Sequence, residues 1–174
     1  RLVPLAETPP IPLPEWMGAF LAHSDDNNAT FQAMRSYFPN VGSTLEPTAQ
    51  ISFSSQRKWS AMTFPELGTL VAGAPERMTG TVIPDELRAE IQRGKRVLFL
   101  ACTMDTVLPD HPLPDMTALA ALVLSDPIRT GAADTLSYFR REGVSVKVIS
   151  GDHPAAAAAV AGPGGMGKRP RRRL

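Results

Sequence analysis

The residues best equipped for chemistry fall in three short runs. Phe53-Ser54-Ser55-Gln56-Arg57-Lys58 sets an aromatic ring a few residues from two cations. That combination can stack a base and neutralise phosphates, although it also fits a core phenylalanine followed by a solvated turn. Ser125-Asp126-Pro127-Ile128-Arg129 and Ser150-Gly151-Asp152-His153-Pro154 each follow an apolar run. If those runs are parallel strands, both polar segments lie at the carboxyl edge of a sheet, where ligands gather. Ser150 then offers a hydroxyl, Gly151 allows close backbone approach, and the next helix presents free N–H groups to an anion such as a phosphoryl group. Asp126 and Asp152 fit helix capping as well.

These residues need elements to hold them. The chain has 174 residues, 43% hydrophobic and 20% charged, a globular composition long enough to bury a core. One cysteine, Cys102, excludes a disulfide framework and any multi-cysteine metal site. Five of the 18 basic residues (Lys168, Arg169, Arg171, Arg172 and Arg173) occupy the last seven positions; without them 13 basic residues face 17 acidic ones. The body is therefore mildly acidic and offers no broad nucleic-acid surface. No apolar run approaches the 18 or so residues of a membrane helix. The start, Arg1-Leu2-Val3-Pro4, does not read as a signal peptide and suggests a chain cut from something larger.

Residues 1–14 are proline-rich and read as an extended lead-in. Residues 15–22 and 28–37 read as short helices, the second capped by Asp25 or Asp26. Residues 51–53, 58–64 and 69–71 read as strands, with 59–64 alternating as a half-buried antiparallel strand does. Residues 84–93 read as a helix closed by Gly94, and 96–101 as a strand. After a proline-rich loop the pattern becomes strand (118–124), helix (131–141), strand (144–149) and helix (154–161), typical of a parallel sheet. The expected class is α/β overall. An antiparallel α+β module over 1–115 precedes an incomplete doubly wound parallel module over 116–161, and 162–174 form a basic tail. The second module, with only two parallel strands, is expected to be the labile one.

Read together, the runs carry a resemblance. Ile51 to Lys58, Gly73-Ala74-Pro75-Glu76, Asp126-Pro127-Ile128-Arg129 and Ser150-Gly151-Asp152-His153-Pro154 resemble, in order, four motifs of P-type cation-transporting ATPases. These are the phenylalanine motif of the nucleotide-binding domain, its Gly-Ala-Pro-Glu turn, the Asp-Pro-x-Arg hinge and the Thr-Gly-Asp motif of the haloacid-dehalogenase-like phosphorylation domain. Asn28-Ala29-Thr30 and Arg96-Val97-Leu98 fall where the family has Glu-Ala-Thr and Arg-Cys-Leu segments. The likeness runs from Arg1 to about Ala161. It favours pumps of calcium and other hard cations, since the His-Pro pair of heavy-metal pumps does not occur here.

The resemblance implies ATP and magnesium in a parent enzyme that moves a cation through an aspartyl phosphate. Phe53 would stack on adenine, Lys58 would face the phosphates or line the adenine pocket, and Arg96 would bind the phosphates. Gly73 would let the nucleotide approach closely, and Asn28 would accept from the adenine amino group. Asp126 and Arg129 would form the hinge. Ser150 would hydrogen-bond the phosphoryl group, and Asp152 would help arrange the magnesium end. No separate metal site is expected. The partners implied are ATP and the remaining pump domains, on the cytoplasmic side of a plasma membrane. No nucleic acid and no membrane insertion of this segment are expected.

Departures and decoys accompany this pattern. The family's Lys before Gly-Ala-Pro-Glu is Ala72. Neither an Asp-Lys-Thr-Gly-Thr motif nor a Gly-Asp-Gly-x-x-Asn-Asp loop occurs, so the segment alone should bind ATP weakly and turn over nothing. Gly162 to Lys168 has P-loop spacing but follows an alanine run and lacks the Ser or Thr that would bind magnesium. The basic tail reads as solvated, and Asn28-Ala29-Thr30 is a glycosylation triplet in a sequence that nothing routes to a secretory compartment. His153 reads as a loop residue, and His23 and His111 suggest no metal cluster. Two rivals stay open. One is a free-standing haloacid-dehalogenase-type phosphatase, for which Asp105 lacks its Asp-x-Asp partner. The other is a non-catalytic nucleotide-binding module.

Overall fold

The computed structural model describes residues 1–6, 11–38, 44–125 and 131–147. Two compact units result, one comprising residues 1–83 and 97–124 and the other residues 84–96 and 125–174.

The first unit is built on a six-stranded sheet in the order β1-β6-β5-β4-β3-β2. The strands are β1 (Leu2–Pro4), β2 (Ala49–Ser54), β3 (Trp59–Phe64), β4 (Gly68–Gly73), β5 (Arg96–Thr103) and β6 (Thr117–Leu124). The β1–β6, β2–β3, β3–β4 and β4–β5 pairs are antiparallel. Two helices, α1 (Leu13–Ala22) and α2 (Ala29–Tyr37), contribute Trp16, Phe20, Phe31 and Met34 to one core cluster with Met62, Phe64, Leu70, Leu100 and Leu122 of the sheet. These sheet residues alternate along β3, β4 and β5, as one face of a pleat requires. Trp16 meets Phe64 edge-on at 6.4 Å, and Phe20 stacks on Phe31 at 6.2 Å. The alternate residues, Trp59, Ala61, Val71, Phe99 and Ala101, are buried as well.

β3 is therefore covered on both faces, where alternation suggested a half-buried strand. Its polar positions are small: Ser60 is buried, and Thr63 pairs hydroxyl to hydroxyl at 2.9 Å with the buried Thr69 of β4. Two further expectations need correction. The lead-in supplies β1, and α1 begins at Leu13, with Pro14 among its first residues. The run expected to open a parallel module, residues 118–124, is β6, paired antiparallel with β1 inside this sheet. A strand enclosed on both faces is continuously apolar in either kind of sheet, so the run could not reveal its partners.

The second unit contains α3 (Asp85–Gln92) and α4 (Ala132–Arg141). Gly94 takes φ +82° just past α3, the left-handed conformation that ends helices. Glu90 of α3 pairs with Lys95 at 2.7 Å and with Arg93 at 3.2 Å. Gly131 and Gly143, with φ of +84° and +72°, bracket α4. Residues 144–147 form no strand. The remainder of the expected 144–149 strand, the 154–161 helix and the basic tail lie outside the described residues.

Candidate functional site

β2 and β3 pair Ile51 with Ala61 and Ser54 with Trp59, and the register shifts between those pairs. Ser52 and Phe53 thus face Ser60 alone, which is a β-bulge. A bulged residue leaves the ladder, and the Phe53 N–H donates to Asp26 Oδ2 at 2.9 Å. Phe53 is 40% exposed, on a backbone pinned by a carboxylate. An exposed aromatic on a strand held in this way is able to stack a base. Asp26 was expected at most to cap α2. That cap is Asn28, whose Oδ1 accepts from the N–H groups of Thr30 at 3.0 Å and Phe31 at 3.1 Å. The residue immediately before the first helical turn is the one whose oxygen reaches these donors. Asn28, expected to meet adenine, thus already holds two hydrogen bonds on that oxygen.

Lys58 closes the β2–β3 turn at φ +64°, its N–H donating to Ser54 O at 2.6 Å. Its own carbonyl accepts from Ala74 N–H at 3.0 Å, which ties the Gly-Ala-Pro-Glu turn to this hairpin. The Lys58 ammonium lies 3.2 Å from Glu76 Oε1, both ends exposed. The Arg57 guanidinium lies 5.4 Å from the centre of the Trp59 ring, and its Nη2 donates to Ser52 O at 2.8 Å. Gly73 pairs with Trp59, and a Cβ on it would meet Trp59 Cβ at 2.4 Å and Lys58 O at 2.8 Å. The glycine is demanded by the hairpin itself, whatever else approaches it.

Ala72 is buried between Ser60 on β3 and Leu100 on β5. Ser60 is 2% exposed, and its hydroxyl has no hydrogen-bond partner. Arg96, the exposed first residue of β5, belongs to the second unit. Asp126, Arg129, Ser150 and Asp152 lie outside the described residues. Asp105 follows β5 with its N–H on Thr103 Oγ1 at 3.1 Å. β5 pairs antiparallel with β4, whereas a haloacid-dehalogenase nucleophile follows a strand of a parallel sheet. Among the described residues no group of three or more His, Cys, Asp or Glu side chains could hold a metal ion. Phe53, Lys58, Gly73 and the missed Asp26 are thus brought to one hairpin. Asp26 carried no signal of its own, because the bulge that frees its partner N–H arises from pairing register.

No family model matches the chain. A probable cation-transporting ATPase of Streptococcus pneumoniae is 43% identical over 153 residues, which cover 85% of this chain and 19% of that protein. The calcium-transporting ATPase CtpE of Mycolicibacterium smegmatis is 42% identical over 122 residues, covering 68% of this chain and 15% of its own length. The chain belongs to the P-type cation-transporting ATPases. It spans less than a fifth of the length of these relatives. A solved zinc-transporting PIB-type ATPase in its E2.Pi state shares the fold, with TM-score 0.60 and 17% identity over 95% of this chain and 25% of its own. No described helix of this ATPase segment is long and apolar enough to cross a membrane.

Proposed function

We propose that this chain is the ATP-binding part of a P-type cation pump and carries the start of its phosphorylation domain. The observation that supports it most is Phe53, exposed at a bulge and anchored through its N–H to Asp26. On this reading the sheet through Leu124 forms the nucleotide-binding module, larger than the expected 1–115. Asp126 and Arg129 begin the hinge, and Ser150 and Asp152 belong to the phosphoryl and magnesium site. The whole pump would hydrolyse ATP through an aspartyl phosphate and sit in a membrane with this segment on its cytoplasmic side. Calcium is the favoured ion because the CtpE relatives bear that name. The segment alone binds ATP without turnover.

Binding here should rest on base stacking, because Ala72 stands where the family has a lysine. Stacking on an aromatic contributes roughly 1–3 kcal/mol per base. Phe53→Ala should therefore weaken ATP binding by about ten- to a hundred-fold, and adenosine should compete almost as well as ATP. Calorimetric titration of both proteins tests this. Equal affinities would remove Phe53 from the site and the reading with it.

A further inference from the structure

The β2–β3 hairpin, the Pro75–Arg77 turn and the loop at residues 109–113 enclose a cleft of about 610 Å³. Phe53 is not part of its lining, which includes Arg57, Trp59, Glu76, Arg77, Asp110 and His111. Arg57 and Arg77 both line this space, and among the described residues neither has a carboxylate partner. Among the described residues Arg77 donates only to Gln56 O, at 3.1 Å, through Nη2. Arg57 spends Nη2 on Ser52 O, and its Nε is closed to solvent with no acceptor. The guanidinium N–H groups of both residues that are not spent on Ser52 O or Gln56 O are what such a space offers to an anion. The Glu76 carboxylate is paired with Lys58, which offsets its charge toward an incoming anion in part. Asp110, also in the lining, does oppose one, since it has no cationic partner among the described residues. The wall is stiff: Arg57 is braced on the buried Trp59 ring, and Arg77 follows Pro75 in a tight turn.

We propose that this cleft binds a phosphate-type oxyanion, with Arg57 and Arg77 as its paired donors. Forked guanidinium groups suit such an anion because each offers two parallel N–H bonds in a fixed plane. The proposal does not depend on nucleotide binding at Phe53.

Inorganic phosphate and pyrophosphate, titrated at constant ionic strength and followed by phosphorus NMR, provide the test. Saturable one-to-one binding is expected. Arg77→Gln should weaken it about ten-fold or more, with Arg77→Lys in between, and Phe53→Ala should leave it unchanged. Asp110→Asn should strengthen it about three-fold by removing the opposing charge; a misfolded variant could not show that gain. Non-saturable binding, undiminished affinity in Arg77→Gln, no gain in Asp110→Asn, or loss in Phe53→Ala would each overturn the proposal. Nucleotide binding could fail at Phe53 while phosphate binding here persists, so the two readings are separable.

Discussion

Replacing Gly73 by alanine should be among the most damaging single-methyl changes in the sheet. The added Cβ would lie 2.4 Å from Trp59 Cβ, 2.8 Å from Lys58 O and 2.9 Å from Trp59 Cα. Non-bonded carbon atoms prefer roughly 3.5–4.0 Å, so each contact is short by more than half an ångström and the worst by more than one. Two of the three opposing atoms belong to the backbone, and none lies at the end of a flexible side chain. Relief therefore requires β3 and β4 to separate where Trp59 pairs with Gly73. The adjoining Ala74–Lys58 hydrogen bond would be lost with it. Overpacking in a core typically costs 1–3 kcal/mol, and rigid neighbours place this site at or above about 3 kcal/mol. At this chain length that corresponds to a fall in Tm of roughly 6–12 °C. Urea unfolding followed by tryptophan fluorescence measures the loss, and a loss below about 1 kcal/mol would refute the steric argument. The change should also move Lys58 and Glu76, so any loss of nucleotide binding in this variant is no evidence of direct contact with Gly73.

Asn28→Ala removes the oxygen that accepts from Thr30 and Phe31, and should cost about 1 kcal/mol by denaturant unfolding; an Asp at that position should retain most of the stability. Ser60→Ala should leave the protein unchanged or stabilise it by about 1–2 kcal/mol, since its enclosed hydroxyl has no partner; a clear destabilisation in the same assay would show a bond that the geometry lacks. Burial pushes the Cys102 thiol above its ordinary value. The folded state then holds its proton at a pH where the unfolded chain has lost it. This contribution to stability is complete below the unfolded value and is lost as pH rises through the folded one. Alkylation of Cys102 by iodoacetamide near pH 8.5 should correspondingly be slower in the folded protein than in urea; equal rates would contradict the shift.

What could be read in the sequence follows from how local each cause is. Helix α3 was legible because Pro84 precedes it and Gly94 ends it, both acting within one turn. The core strands of the hairpin region were legible from short apolar runs separated by turn residues. β1 was not, because Leu2, Val3 and Pro4 become a strand only by pairing with residues 120–122, more than a hundred positions away. The same non-local pairing turned residues 117–124 into β6 of the first sheet. At the site, Phe53 was legible as a residue type beside cations. Its mounting was not, since a bulge depends on the register of two strands and on Asp26 in a different segment. Gly73 was singled out for the approach of a nucleotide, and the neighbour that the structure sets against it is Trp59.

The distribution of charge around this hairpin bears on both proposals. The motif places two cations just after Phe53, yet the fold sends them elsewhere: Lys58 to Glu76, and Arg57 onto Trp59 and into the cleft. An exposed ion pair such as Lys58–Glu76 is worth at most about 1 kcal/mol, so an arriving phosphate could recruit Lys58 at small cost. Recruiting Arg57 would be different, because its stacking and its bond to Ser52 would both have to break. Ala72 adds nothing, enclosed between Ser60 and Leu100. A nucleotide at Phe53 would therefore gain from its base and, through Lys58 alone, modestly from its phosphates. Arg57 and Arg77 stay with the cleft that they line, each held by a backbone carbonyl.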